Sequence, residues 1–490
     1  MELPLEFREY AVAALGEEVA GELCSNIETH QELTSIRVNP LKGGVVAEHF
    51  MEASEGAQEV SPVQWSTLGH YLSQRPVFTL DPLFHAGGYY VQEASSMYME
   101  LVAQTIEEDF ASRAAVGGEQ GEKFFEKRLA ALDLCAAPGG KSTHLASLLG
   151  NDSLLVSNEV IKSRAVILAD NIAKWGTENV VVTNNDPADF VAFEEQFDII
   201  VVDAPCSGEG LFRKDPQAVQ EWSPANVNLC AQRQQRILSD IWPALKRGGY
   251  LVYSTCTYNK FENDGNLMFL CEELGAEVVK LVPPDESGII HTPGGGFQFV
   301  PGRVKGEGQF MALVRKEGDW ELSSFGGAMQ GKKKKGGKDS KKGAPQLEKD
   351  CKYLPDNYIK VLQGDLVKGY RKDLYERISF VEENLRTVLS GIAVANKKGK
   401  DYVPHADFAL QAVVADMVAS ECLPDGISAV EVGREDALKF LAKEPLVLPG
   451  APMGYVLLVY RGLGLGFVKN LGNRTNNLLP MARRIRMEIR

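Results

Sequence analysis

The sequence predicts an α/β fold centred on an open, doubly wound parallel sheet, with smaller units before and after it. Short apolar runs recur between residues 129 and 256 with helical stretches between them, the alternation of strands and crossovers. A glycine-rich turn, CAAPGGKST, follows the first run and opens a helix-like stretch. Acids and thiols gather at the ends of the runs, where an open parallel sheet presents its ligand site.

The 490 residues, 44% of them hydrophobic, suffice for several domains with large cores. The opening MELPLEFREYAVAALGEE carries acids and no long apolar segment. No uncharged run approaches the roughly 20 residues that cross a bilayer, so a folded protein without export signal or membrane span is expected. Eight cysteines are too sparse for a disulfide scaffold, and none shows the CxxC spacing of a zinc site; reduced thiols in a cytoplasm, and no metal, are expected. The net charge of -14 argues against a general polyanion binder and leaves room for a local basic surface.

Taken in order, strands are expected at LAALDLC (129–135), LLVSNE (154–159), NVVVTNND (179–186), FDIIVVDAPC (197–206) and GGYLVYSTC (248–256). EVVKLV (277–282) and FMALVRK (310–316), separated by the turn-rich TPGGGFQFVPGR, are expected to close the sheet as an antiparallel hairpin. The carboxyl ends of the five parallel runs carry Cys135, Glu159, Asp186, Asp203 with Cys206, and Cys256.

In the first turn, Gly139, Gly140, Lys141 and Ser142 nearly complete a GxxxxGK[ST] phosphate loop, and IIVVDAP is like the acidic strand that holds magnesium in such proteins. Cys135 stands where the leading glycine belongs, however, and Pro138 removes an amide from a loop that works by presenting amides. The turn from Cys135 through Ala136, Ala137 and Pro138 to Lys141 fits better a backbone approach to a small anionic or zwitterionic cofactor at a helix N-terminus. Glu159, at the next strand end, is placed to accept hydrogen bonds from ribose hydroxyls, and Asp186 to take an adenine amino group. The pattern suits S-adenosyl-L-methionine.

GKKKKGGKDSKK (331–342), with seven lysines against one aspartate, reads as a solvated linker. Beyond it, YRKDLYERISFVEENLRTVL is an amphipathic helix, and GIAVANKKGKDYVPHADFAL a strand-and-turn stretch with a structural His405. Residues 431–490 are glycine-punctuated and β-like. GLGLG lacks the helix a dinucleotide fingerprint requires and reads as hairpin turns of a small barrel.

LDLCAAPGGKSTHLA, DAPCSGEGLFRKDP and YSTCTYNKFEND together resemble the Sun/Nol/Nop family of RNA cytosine-C5 methyltransferases, and TSIRVNP and GGYYVQEASSM resemble stretches that precede the catalytic domain there. The likeness covers residues 1 to about 320. The remainder looks like the bacterial branch acting on small-subunit (16S) rRNA, with a PUA-like RNA-binding module. The resemblance implies a class I, Rossmann-like methyltransferase domain at 81–320, an RNA-recognition region at 1–80, a Lys/Gly-rich linker at 321–345, a small α+β domain at 346–430 and a PUA-like domain at 431–490. Residues 1–325 are expected to fold and hold cofactor alone.

Carbon 5 of cytosine is not nucleophilic, so a thiolate must add to carbon 6 before methylation, and a second group must take the carbon 5 proton before release. Two cysteines meet that need, in an order composition leaves open. The resemblance assigns attack to Cys256 and release to Cys206, with Asp203 contacting the base near N3 or the methionine end of the cofactor. Lys141 is left between the cofactor carboxylate, the RNA and the helix start. The target base must be unstacked to reach Cys256. Arg37, Asn39 and Lys42 in TSIRVNPLK, and Arg213 and Lys214 beside the catalytic loop, are the candidate RNA contacts. The expected partner is ribosomal RNA or the small subunit, met by a monomer; the alternative is a non-catalytic assembly factor that retains only RNA binding.

Overall fold

The computed structural model describes residues 3–29, 33–43, 49–50, 59–116, 123–322, 325–326 and 346–489, so the lysine-rich linker lies outside the described residues. Its centre is a ten-stranded sheet. In chain order the strands are β1 Ala130–Asp133, β2 Leu154–Asn158, β3 Val180–Thr183, β4 Phe197–Asp203, β5 Leu245–Thr255, β6 Ala276–Val279, β7 Ile290–His291, β8 Phe297–Phe299, β9 Gln309–Lys316 and β10 Thr387–Leu389. They lie in the order β7-β8-β9-β5-β4-β1-β2-β3-β10, with β6 also on β9.

The first five run parallel, and their Val, Ile and Leu runs are buried because helices cover both faces of the sheet. The crossovers include α1 Gly140–Leu148, α2 Lys162–Trp175 and α3 Pro224–Ile241, and α4 Asp264–Leu274 follows β5. Strand order reverses between β1 and β4, the switch point at which such sheets bind ligands. The closing strands are antiparallel as expected. They are not one simple hairpin, since β9 pairs with β5 on one side and with both β6 and β8 on the other.

Helices Leu5–Leu15 and Glu17–Thr29 precede a four-stranded antiparallel sheet of Val60–Val63, Ser66–Leu72, Thr34–Val38 and Tyr89–Val91. Because Tyr89–Val91 supplies its fourth strand, the boundary expected at residue 80 cuts through this unit. After the linker comes a five-stranded sheet, Gln346–Leu347 to Asp401–Pro404, and then a four-stranded one whose first member is Ile427–Glu431. A start at 431 therefore divides that sheet from its first strand.

The small units are not independent of the large one. Strand β10, from beyond the linker, pairs with β3 and extends the central sheet. Ile378, Val381 and Leu385 are buried in one cluster with Phe190, Phe193 and Phe197. Ile36, Val38 and Tyr89 share a core with Phe440, Val456 and Leu458 of the C-terminal module. The expectation that residues 1–325 fold alone is corrected on these grounds. Among the described residues, no helix is long and apolar enough to cross a membrane.

Candidate active site

Parallel pairing of β4 with β5 aligns Asp203 with Ser254, so the two chains leave the sheet side by side and carry their cysteines together. The Cys206 and Cys256 sulfurs are 3.1 Å apart, and both residues are partly buried. The loops are pinned at close range: the Gly210 amide donates to the Cys256 carbonyl at 2.7 Å, and a Cβ on Gly210 would lie 2.7 Å from that same oxygen. The Cys206 thiol is pushed well above its ordinary range, first by its hydrogen bond to Cys256 and then by burial.

On the other side of the switch point, β1 ends in the turn Cys135–Gly139. Gly139 sits at φ 117°, in the left-handed region, and opens α1. A cavity of about 190 Å³ lies over it, lined by Cys135, Ala136, Ala137, Pro138, Gly140, Lys141 and Asp203 together with Tyr90, Gln92, Glu93 and Ser96 of the N-terminal unit. Lys141 Nζ donates to Asp203 Oδ2 at 2.8 Å, while Asp203 Oδ1 accepts from Ser254 Oγ at 2.7 Å and Gln309 at 3.3 Å. Beneath, Asp133 is fully buried, accepts from Ser142 Oγ at 2.6 Å and keeps Oδ1 unpartnered; burial pushes its carboxyl up to about 7. An open cradle with a cation and an anion on its wall fits a zwitterionic ligand approaching backbone.

Glu159 and Asp186 occupy the ends after β2 and β3 and do not line this cavity. Glu159 is buried, accepts from the Ile161 amide at 2.9 Å and pairs with Arg164 at 3.2 Å. Asp186 accepts from the Ala188 amide and pairs with Arg236 at 3.2 Å, which holds its carboxyl below the usual range.

Four of the five proposed RNA contacts are corrected by their burial. Arg37 is fully buried, donating to Gln92 Oε1 at 2.8 Å, Thr143 Oγ1 at 2.5 Å and the Gly140 carbonyl at 3.2 Å. Asn39 donates to the Gly87 and Trp175 carbonyls at 2.8 and 2.9 Å, and the likewise buried Lys42 to Ala86 and Lys174 at 2.6 Å each. Asn39 and Lys42 thus satisfy carbonyls at the C-terminus of α2 and clamp the N-terminal sheet to it. Arg213 is buried against Glu307 at 3.1 Å. Lys214 alone of the five is half-exposed, with Glu307 at 3.3 Å.

Gln92 and Glu93 at the cavity, and the buried Asp133 bonded to Ser142, were not foreseen. Nor were Glu209 and Glu262, although both lie inside the cysteine motifs. Among the described residues no group of His, Cys, Asp and Glu is placed to hold a metal.

Comparison with known proteins identifies relatives of the whole chain. The chain matches the family described as 16S rRNA methyltransferase RsmB/F over residues 125–315, the N-terminal domain of 16S rRNA methyltransferase RsmF over 3–94 and the methyltransferase RsmF PUA domain over 428–485. It is 32% identical to the ribosomal RNA small subunit methyltransferase F of Aeromonas hydrophila, over 91% of this chain and 90% of that one, and 31% identical to that of Aliivibrio fischeri at the same coverage. Among solved structures, a methyltransferase homologue from Pyrococcus horikoshii aligns over 63% of this chain and 93% of that one, with TM-score 0.50 and 26% identity. The NSun6 structure from the same organism aligns over 64% and 99%, with TM-score 0.51 and 22% identity, a likeness of fold.

Proposed function

The chain belongs to the family of 16S rRNA methyltransferases represented by ribosomal RNA small subunit methyltransferase F, and from that premise we propose that it forms 5-methylcytidine in 16S rRNA through a covalent Cys256–cytosine adduct. The observation that carries this is the 3.1 Å contact between two unpaired thiols at the end of β4 and β5, beside a cofactor cradle. S-adenosyl-L-methionine is the proposed cofactor and supplies the methyl group. Lys141 and Asp203 suit its carboxylate and ammonium, the Cys135–Gly140 turn its close approach, and Glu159 and Asp186 its ribose and adenine.

The sulfur pair supports a division of roles. The contact with Cys256 and burial both favour the protonated form of Cys206, which suits Cys206 to the release step and leaves attack to Cys256. Attack forms the S–C6 bond and moves the ring electrons to carbon 5, which takes the methyl group. Once the Cys256 sulfur is bonded to carbon 6, the largest of the interactions that held the Cys206 proton, the hydrogen bond between the two thiols, is weakened. Cys206 then gives its proton to solvent, takes the carbon 5 proton as thiolate, and the C5–H electrons restore the ring double bond as the S–C6 bond breaks by β-elimination, returning Cys256 as thiolate. The proposed setting is a cytoplasmic monomer acting on ribosomal RNA or the small subunit.

Incubating Cys206→Ala with 16S rRNA and S-adenosylmethionine should leave a nuclease-sensitive band of reduced mobility on a denaturing gel, and Cys256→Ala should leave none. An adduct from Cys256→Ala alone would reverse the roles; none from either variant, or methyl incorporation at a position other than cytosine carbon 5, would sink the proposal.

A further inference from the structure

Beneath the two cysteine loops lie two carboxylates that this chemistry does not use, Glu209 and Glu262, exposed to 1% and 0%. Each belongs to one loop and is spent on the other. Glu209, three residues after Cys206, accepts from the backbone amides of Tyr258 and Asn259 in the Cys256 loop at 2.7 and 3.2 Å. It also accepts from the Trp222 indole at 3.0 Å and Asn259 Nδ2 at 2.9 Å. Glu262, six residues after Cys256, accepts from the Ser207 amide in the Cys206 loop at 3.0 Å, from Gln234 at 2.8 Å and from Asn259 Nδ2 at 2.8 Å. The Asn259 side chain bridges both.

All of these donors are neutral. Two carboxylates buried a few ångströms from a thiol pair are expensive to desolvate, and a packed apolar contact would join two loops at lower cost. What carboxylates add is direction: each fixes particular amides, so the Cys256 loop is held by Glu209 at two backbone points, Tyr258 and Asn259, and the Cys206 loop by Glu262 at one, Ser207.

We propose that Glu209 and Glu262 are positioning residues that set the separation and roles of the two thiols, Glu209 by holding the Cys256 loop for attack and Glu262 by holding the Cys206 loop for release. The inference rests on the covalent chemistry proposed above and assigns each half of it a support. Glutamine at either site keeps the volume and turns an acceptor toward the amides into a donor.

In the full chain, Glu262→Gln should lower kcat roughly 100-fold through misplacement of the release group, leave KM for S-adenosylmethionine and RNA within about twofold, and accumulate the RNA–protein adduct. Glu209→Gln should lower kcat similarly but accumulate no adduct, because formation of the S–C6 bond is the slowed step. Glu262→Asp and Glu209→Asp, which shorten the reach by one methylene and keep the charge, should reproduce the same split at smaller amplitude and serve if a glutamine variant does not fold. Cys206→Ala runs in the same assay. An adduct from Cys206→Ala with none from either Glu262 variant, or unchanged kcat in the Glu209 and Glu262 variants, overturns the positioning roles and leaves the covalent mechanism standing. No adduct from Cys206→Ala overturns the mechanism and this inference with it.

Discussion

At the β4–β5 end of the sheet the thiol loops are held by groups that belong to those loops themselves, whereas at the β1–β3 end the cofactor turns are held by side chains and strands from far along the chain. Glu209 and Glu262 cross from one cysteine loop to the other within about one motif's length. The Gly140 carbonyl, by contrast, accepts from Arg37, the Leu129 carbonyl from Arg377 at 2.8 Å, and the Asn184 amide donates to the Arg386 carbonyl at 2.9 Å. The proposed thiol chemistry, which tolerates little displacement, is braced locally; the proposed cofactor half depends on assembly of the N-terminal and post-linker units around it.

The largest effect should come from removing that outside bracing. A chain ending at residue 325 loses β10 and strips Ile378, Val381 and Leu385 from Phe193 and Phe197. At about 1.5–3 kcal/mol for each buried side chain, the loss approaches the 5–15 kcal/mol that keeps a domain folded. Aggregation, or a cooperative melting transition lost from calorimetry, is the expected outcome. A soluble product that binds S-adenosylmethionine as tightly as the whole chain would break the contrast.

Asp203 is the seam between the halves, joined to Lys141 on one side and to Ser254 and Gln309 on the other. Asp203→Ala should cost on the order of 100-fold in kcat/KM, since it removes a charge-assisted bond of roughly 1.5–3 kcal/mol together with two neutral ones. A loss confined to KM for the cofactor would place Asp203 wholly in the binding half.

The sequence carried the parallel sheet, the glycine turn and the meeting of the thiols, because each follows from a residue's place at a strand end. Position along the chain could not show which amides Glu209 and Glu262 would meet, since that depends on two loops laid side by side. Arg37 and Asn39 were misread for a related reason. Their strand alternates like a half-exposed one, and only the approach of α1 and the C-terminal turn of α2 turns their polar groups inward. Nor does TVL at 387–389 announce a partner some 200 residues earlier.

Within the cofactor half, Glu159→Ala should weaken S-adenosylmethionine binding by about 1.5–3 kcal/mol, roughly tenfold to over a hundredfold, and spare RNA binding. Unchanged affinity by calorimetric titration would remove Glu159 from the ribose. A smaller effect follows from Asp133, whose carboxyl is raised by burial to about 7. Between the unfolded value near 4 and that folded value, the native state holds the extra proton, so its contribution to stability is present at low pH and lost as pH rises to 7. Asp133→Asn should therefore stabilise the cofactor-free protein by about 1–2 kcal/mol at pH 8 and much less at pH 4.5. Equal melting shifts at the two pH values would contradict the buried, protonated acid.

The smallest expected effect lies on the rim of the thiol half. Lys214 is half-exposed and held by Glu307, a carboxylate that also engages the buried Arg213. Glu307 is buried and keeps Arg213 as its partner when Lys214 leaves, so the half-exposed Lys214 can exchange it for an RNA phosphate, whereas Arg213 cannot leave without uncovering a buried charge. Lys214→Ala should weaken RNA binding severalfold at low salt, lower the slope of log affinity against log salt by about 1, and leave kcat at saturating RNA unchanged. Arg213→Ala should act through the fold, lowering the melting temperature and kcat together. An unchanged salt slope in Lys214→Ala would leave the thiol half without a basic contact from this loop and shift the RNA-binding surface to other elements.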